Sequence, residues 1–122
     1  MLLTEDTFNA TYIIQAYTPT SVTINHQRYQ QSLILTPHHL IPDWPVQAPA
    51  QLTALTVQPL LDLEPDLILL GTGIHFTMPP QDALRSFVNS RIGFEPMSTL
   101  TAIRTFVALA AEGRRVACGL IL

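Results

Sequence analysis

An uninterrupted apolar run that ends on a glycine turn constrains the fold of this chain more than any other feature. Residues 66–70, DLILL, continue directly into Gly71, Thr72 and Gly73. A strand that is covered on both faces is apolar without alternation, whereas a half-exposed strand alternates apolar and polar residues. The run therefore predicts a central strand with other elements packed on both faces of its sheet.

Further strands are predicted before this run. Residues 11–17 and 21–25 are rich in β-branched and aromatic residues, and the turn residues between them predict a hairpin. Residues 28–36 follow another turn and predict a third antiparallel strand. Four prolines within residues 37–49 then predict an irregular loop, because proline lacks a backbone N–H, and Trp44 is expected to anchor this loop.

Helices and strands alternate after the proline loop. Helical spacing predicts a helix at residues 56–63, with Thr56 as its cap and Pro59 in its first turn, and a second helix at residues 82–90. An extended piece follows at residues 94–97. A third helix begins at Ser98 or Thr99 and is stopped by Gly113, and a final apolar strand is expected at residues 114–122. The spacing of four apolar residues predicts the buried face of the third helix: Leu100, Ile103, Val107 and Ala110.

This order of elements predicts an α/β fold. Strand, helix, strand, helix and strand in succession imply right-handed crossovers between parallel strands. We expect a single compact domain, residues 1–122, with helices packed on a mixed central sheet. The N-terminal part of this sheet is expected to be antiparallel and the C-terminal part to be parallel and of βαβ type.

Composition excludes several classes of function. All six basic residues are arginines, so Schiff-base chemistry on lysine and a Walker A loop are excluded. A net charge of −3 without any basic run argues against nucleic acid as a partner. Cys118 is the only cysteine, so an intrachain disulfide and a cysteine-based zinc site are excluded, and no cofactor or metal is expected.

The sequence also bears on location. Glu5 and Asp6 stand where a secretory signal would carry basic residues. No apolar run approaches the roughly 20 residues of a membrane span. We therefore expect a cytoplasmic protein without a membrane span.

The Gly71-Thr72-Gly73 turn is the first candidate site. A glycine turn after a strand is where phosphate loops begin, but the dinucleotide fingerprint requires a third glycine where Phe76 stands. A tight structural turn is the favoured interpretation, and a small anion or ligand site is the alternative. Arg104, on the third helix, could reach over the end of the sheet toward such a ligand, although a surface arginine is the simpler interpretation.

Histidines and the remaining arginines give weaker candidates. His75 lies beside the turn and is an acid–base candidate without an identified partner. His38 and His39 adjoin Asp43, but a metal site would need a further ligand, so surface histidines are favoured. Two arginines directly follow the third helix, where positive charge offsets the helix dipole, Arg114 and Arg115.

Three segments resemble a known family: Trp44, the run DLILLGTG at residues 66–73, and TAIRTFVALAAEGRRVACGLIL at residues 101–122. Together they resemble the domain-of-unknown-function family that includes mitochondrial complex I assembly factor three and many short bacterial proteins. The resemblance implies a compact α/β domain and, for the mitochondrial members, a non-catalytic role in assembling respiratory complex I. The chain departs from the family pattern at Ile103, where cysteine is frequent, and at Val107, where asparagine is frequent.

Three hypotheses of function follow. The first is a non-catalytic assembly or protein-interaction factor of bacterial origin, which binds a protein partner through an apolar patch and the loop around Trp44. The alternative is a small anion- or nucleotide-binding module that uses Gly71, Thr72 and Gly73 together with Arg104. An enzyme with His75 as its base is the third, and self-association of the chain is left open.

Overall fold

The described part of the chain begins with short strands and continues with alternating helices and strands. The structure is a computed structural model that describes residues 10–122, so Glu5 and Asp6 lie outside the described residues. Within that range there are eight strands and three α-helices: β1 (Ile14–Thr18), β2 (Ser21–Ile24), β3 (Gln27–Tyr29), β4 (Leu33–Leu35), β5 (Leu40–Ile41), α1 (Ala54–Asp62), β6 (Leu67–Gly71), α2 (Gln81–Ser90), β7 (Gly93–Met97), α3 (Thr99–Ala111) and β8 (Val116–Leu120). A short 3-10 turn, Pro49–Gln51, precedes α1.

Strand β6 lies inside a five-stranded sheet, as its apolar sequence predicts. The strand order is β5-β4-β8-β6-β7. β6 pairs in parallel with β7 on one side and with β8 on the other, whereas β4 pairs antiparallel with β5 and β8. β1, β2 and β3 form a second, antiparallel sheet. The predicted α/β fold with a mixed central sheet is confirmed.

The two faces of the central sheet are covered by different elements. Along β6, Ile68 and Leu70 belong to one buried cluster and Leu69 to another, because successive side chains in a strand point to opposite faces. The first cluster includes residues of α1 and α2 together with Trp44, and the second includes residues of α3 and β2. Coverage of β6 on both faces, which the apolar run predicts, is therefore confirmed.

The strand predicted at residues 28–36 is wrong in one respect, since it forms two strands in different sheets. β3 ends at Tyr29 and β4 begins at Leu33. Between them, the carbonyl of Ser32 accepts the N–H of Trp44 at 2.9 Å, and its hydroxyl accepts the N–H of Leu122 at 3.1 Å. These bonds tie the break to the proline loop and to the end of β8, so the chain changes sheets at this point.

Helix α1 begins earlier than its predicted cap. The hydroxyl of Thr53 accepts the N–H of Thr56 at 3.1 Å, and the hydroxyl of Thr56 accepts the N–H of Thr53 at 2.8 Å. Thr53 is therefore the N-cap, and the helix spans Ala54–Asp62. As a result Pro59 lies inside the helix instead of in its first turn, and it leaves the carbonyl of Leu55 without a helical N–H partner.

The proline loop is fixed to the core by Trp44. Its indole N–H donates to the carbonyl of Thr56 at 2.8 Å, and only 4% of the residue is exposed. The ring lies against a glycine of β8: a Cβ atom on residue 119 would be 2.9 Å from Cη2 of Trp44 and 3.1 Å from Cδ1 of Leu60. Gly119 thus provides the space in which the indole packs, and the expected anchoring role of Trp44 agrees with its position.

We predict that Gly119→Ala lowers the free energy of unfolding by about 1–3 kcal/mol, because the added methyl overlaps a packed ring. Chemical denaturation measures this change. Trp44→Phe removes the outer part of the indole, so Gly119→Ala should cost less in the Trp44→Phe background than in the wild type. An equal loss in both backgrounds would contradict this packing.

Candidate functional site

The glycine turn after β6 is shaped by the close approach of α3. A Cβ atom on residue 71 would lie 2.8 Å from the Cα of Thr99 and 3.3 Å from the Cβ of Ala102, so a side chain does not fit there. Gly73 has a φ of +113°, which glycine adopts without strain. Gly71 is therefore needed for packing, and Gly73 for the bend of the chain.

The same contact decides which face of α3 is buried. The buried residues of the helix are Thr99, Ala102, Ile103 and Phe106. Val107, which belongs to the predicted buried stripe, is 41% exposed, so the prediction is wrong for this residue. Two apolar stripes overlap on this helix, and the stripe that begins with the small residues at 99 and 102 is the one that fits against Gly71.

The hydroxyl of Thr99 connects the turn to the end of the sheet. It donates to the carbonyl of Ile121 at 2.8 Å and accepts the N–H of Gly73 at 2.9 Å. The N–H of Thr99 donates in turn to the carbonyl of Gly73 at 2.8 Å. Thr99 is fully buried, so these bonds form away from water.

Thr72 holds the rest of the loop in a similar way. Its N–H donates to the carbonyl of Met97 at 2.8 Å, and its hydroxyl accepts the N–H of Thr77 at 2.9 Å. The same hydroxyl lies 3.0 Å from the carbonyl of His75. The amide groups of Thr72 and Gly73, which a phosphate loop would direct at its ligand, are thus bonded within the fold.

The loop that these bonds hold presents large apolar side chains to solvent. Ile74, Phe76 and Met78 are 61%, 54% and 56% exposed, and they alternate along the chain. We refer to residues 73–78 as the apolar loop. Sequence reasoning concentrated on the glycines and missed these side chains, although large apolar residues between a glycine turn and two prolines, outside any predicted element, could have indicated them.

Arg104 lies beside the small sheet. Its Nε–H donates to the hydroxyl of Tyr17 at 3.4 Å, and its guanidinium carbon is 6.0 Å from the centre of the Tyr17 ring. An exposed cation–π contact of this kind contributes about 0.5–1 kcal/mol. These contacts direct the guanidinium to β1, so the structure does not bring Arg104 together with Gly71, Thr72 and Gly73.

The other predicted site residues do not form a cluster of side chains with the turn. The side chain of His75 is exposed. Trp44, the candidate for an interaction surface, is a core residue whose indole lies against α1 and β8. Asp82, the acidic residue that follows the loop of His75, accepts the N–H of Ala54, the first residue of α1, at 2.6 Å.

The described residues contain neither a cluster of metal ligands nor a membrane-spanning helix. Between residues 10 and 122, no group of three or more His, Cys, Asp and Glu side chains is arranged to hold a metal ion. None of the helices in the same range is both long enough and apolar enough to cross a bilayer.

Cys118 is buried at the centre of the sheet. It pairs with Leu69 of β6 and with Leu35 of β4. Burial raises the pKa of its thiol far above the ordinary value, and a backbone hydrogen bond at Leu35 opposes this effect only in part. The thiol is therefore held in its neutral, unreactive form.

The fold is shared with solved bacterial proteins. A Xanthomonas campestris protein solved by NMR is 40% identical with a TM-score of 0.81, over 91% of this chain and 84% of that one. A crystal structure from Bordetella parapertussis is 33% identical with a TM-score of 0.82, over 91% and 95%. A Bordetella pertussis protein described as a Mth938-like domain is 27% identical with a TM-score of 0.76, over 89% and 84%. The chain thus has the same α/β fold as these proteins, one of which is described as a Mth938-like domain.

A family model matches residues 14–121. The chain belongs to the family described as "Protein of unknown function (DUF498/DUF598)". The resemblance inferred from the sequence is confirmed at the level of the family. None of the curated proteins matches the chain.

We predict that Thr99→Val lowers the free energy of unfolding by about 1–3 kcal/mol, because it leaves the N–H of Gly73 and the carbonyl of Ile121 without their partner. Thr101→Val is the matched control, since Thr101 is on the exposed side of the same helix, and its effect should stay within about 0.5 kcal/mol. Urea denaturation compares the two, and equal effects would contradict the bridging role of Thr99.

We also predict a pH dependence of stability from Cys118. Because its pKa is raised in the folded state, its contribution is complete below the pKa of an unfolded thiol, about 8.5. Above that pH the free energy of unfolding should fall by up to about 1.4 kcal/mol per pH unit, because only the unfolded chain releases the proton. Denaturation between pH 8 and 10 should show a steeper fall in the wild type than in Cys118→Ala. The same slope in both proteins would contradict this assignment.

Proposed function

We propose that this chain is a non-catalytic protein-interaction module that docks on an apolar surface of a partner protein through the apolar loop. The observation that carries the proposal is the exposure of Ile74, Phe76 and Met78 on one loop. Isolated exposed apolar residues are common in soluble proteins, but large ones grouped together on a surface are typical of interaction sites.

The anchoring of the loop supports docking energetically. Complete burial of a large apolar side chain contributes about 1.5–3 kcal/mol relative to full exposure, and these three side chains are still more than half exposed. The hydrogen bonds of Thr72 and Thr99 hold the loop before any partner arrives. Less conformational entropy is then lost on binding, which is the advantage of a preorganised interface.

The geometry of the turn favours docking over the anion-binding alternative. An anion held at Gly71, Thr72 and Gly73 would require free amide groups, yet the amides of Thr72 and Gly73 are bonded to Met97 and Thr99. The contacts of Arg104 are with Tyr17. The glycine turn and Arg104 therefore make separate contacts within the fold and are not directed at a common ligand.

The class of partner follows from the chemistry of the loop and from the family resemblance. Isoleucine, phenylalanine and methionine fit an apolar groove on a protein, and methionine adapts to irregular surfaces. A net charge of −3 and the lack of lysine disfavour an anionic membrane as the binding surface. The resemblance to a complex I assembly factor points to a subunit or intermediate of a respiratory complex as the partner, with docking on the cytoplasmic side of a bacterial cell.

We predict that replacing Ile74, Phe76 and Met78 together by serine weakens partner binding at least tenfold, which corresponds to about 1.4 kcal/mol. Quantitative pull-down with the full chain from its native host measures the loss. The control replaces Leu55 and Val88, which are 82% and 75% exposed on α1 and α2, by serine in the same way. The control should retain the partner, and both variants should unfold at temperatures close to that of the wild type.

Two outcomes would contradict the proposal. One is that the loop variant retains the partner as well as the control variant does. The other is that sedimentation shows a homodimer of the wild-type chain that only the loop variant loses, because the loop would then bind a second copy of the chain.

A further inference from the structure

A concave site lies at the other end of β6 from the apolar loop. This cavity of about 460 Å³ is lined by two histidines of the proline loop, His38 and His39, and by the two arginines before β8, Arg114 and Arg115. We call it the basic cleft. It opens where the amino ends of two parallel strands meet, since the N–H of Asp66 donates to the carbonyl of Arg115 at 2.8 Å.

Positive groups are concentrated in this cleft although the chain as a whole is acidic. It contains two of the six arginines, whereas the net charge of the chain is −3, and two of the four histidines add ring nitrogens that can form hydrogen bonds. None of the described residues that line it is Asp or Glu. Glu112 lies nearby, with its carboxylate 3.9 Å from Nη1 of Arg114, but both side chains are more than half exposed. Such a long, solvated ion pair is weak, so the guanidinium of Arg114 can exchange it for a ligand at little cost.

Hydrogen bonds hold parts of the cleft in place before any ligand binds. The hydroxyl of Thr36 accepts the backbone N–H of His38 at 3.2 Å and the backbone N–H of His39 at 2.9 Å, which fixes the main chain of both histidines. Nδ1 of His38 lies 3.1 Å from the hydroxyl of Thr11, which leaves Nε2 for another partner. One Nη–H of Arg115 donates to the carbonyl of Glu64 at 2.6 Å, and the rest of its guanidinium edge remains for a ligand.

The carboxyl end of α3 also lies at this cleft, and a helix carboxyl end carries partial negative charge. Its last carbonyl groups are bonded to the following backbone. The carbonyl of Leu109 accepts N–H groups of Glu112 and Arg114, both at 3.1 Å, and the carbonyl of Ala110 accepts the N–H of Gly113 at 3.0 Å. These bonds reduce the negative potential at the carboxyl end of α3. Part of the positive charge of Arg114 and Arg115 is therefore left to attract a ligand.

Apolar residues form the remainder of the wall, among them Leu63, Pro65 and Val116. The structure assigns the basic cleft as a binding site for a small organic anion that combines a phosphate or carboxylate head with an apolar body. Guanidinium groups bind such heads through paired hydrogen bonds, and the apolar wall accepts the body of the molecule. A volume of about 460 Å³ is within the range of small-molecule sites. This assignment is independent of the proposed docking function, because it uses none of residues 73–78.

The test is an NMR titration of the isotopically labelled full chain with phenyl phosphate at low salt. We expect saturable shifts in the backbone amides of His38, His39, Arg114 and Arg115, and none in residues 73–78. Phenol lacks the charge and inorganic phosphate lacks the apolar body, so each should bind at least about tenfold more weakly than phenyl phosphate. Added salt should weaken the binding of phenyl phosphate because it screens the exposed charges.

Variants of the arginines test the assignment directly. Arg114→Gln together with Arg115→Gln should raise the dissociation constant at least about tenfold. Arg114→Gln alone keeps the bond from Arg115 to Glu64 and should still weaken binding severalfold. Arg85→Gln removes one exposed arginine on α2 and is the matched control, with an expected change below about twofold.

Three results would overturn the assignment. The first is the lack of any saturable shift up to about 10 mM phenyl phosphate. The second is equal weakening by Arg114→Gln and Arg85→Gln, which would indicate a general charge effect. The third is that inorganic phosphate binds as tightly as phenyl phosphate, because the apolar wall would then take no part.

Discussion

The close contact between the carboxyl end of β6 and the first turn of α3 is the constraint on which the rest of the structure depends. Gly71 leaves space for the backbone of Thr99, and the Thr99 hydroxyl then joins the turn to the end of the chain through Gly73 and Ile121. One buried threonine thus connects a strand, a helix and the C-terminal segment. Because this contact positions α3 over the sheet, it also selects the face of the helix that is buried.

The contact between β6 and α3 also limits what the glycine turn can bind, because the backbone amides of the turn are hydrogen-bonded inside the fold. In a phosphate loop, the amides after the strand point outward to a ligand. Here the amides of Thr72 and Gly73 point to internal acceptors, while the side chains of Ile74, Phe76 and Met78 face solvent. What the turn offers to another molecule is therefore apolar surface on a fixed backbone. This combination fits recognition of a protein better than recognition of an anion.

The two ends of β6 differ in chemistry. At its carboxyl end lies the apolar loop, and at its amino end lies the basic cleft. Five residues of parallel strand separate them, which is about 16 Å at roughly 3.3 Å per residue. A partner protein at one end and a small anion at the other could therefore be bound at the same time. Ligands of open α/β sheets usually lie at the carboxyl ends of the strands, so an anion at the amino end would be a departure from this rule.

Local patterns in the sequence determined the elements and their layering. The apolar run of residues 66–70 required a strand covered on both faces, and the order of helices and strands required parallel pairing. Tertiary structure alone decided between patterns of equal local quality: it buried Trp44 against Gly119, exposed Val107 and brought the distant pairs His38–His39 and Arg114–Arg115 into one cleft. The reason is that periodicity shows only which side chains share a face of one element. Packing between elements depends also on where a glycine, such as Gly71 or Gly119, leaves space for a neighbouring element.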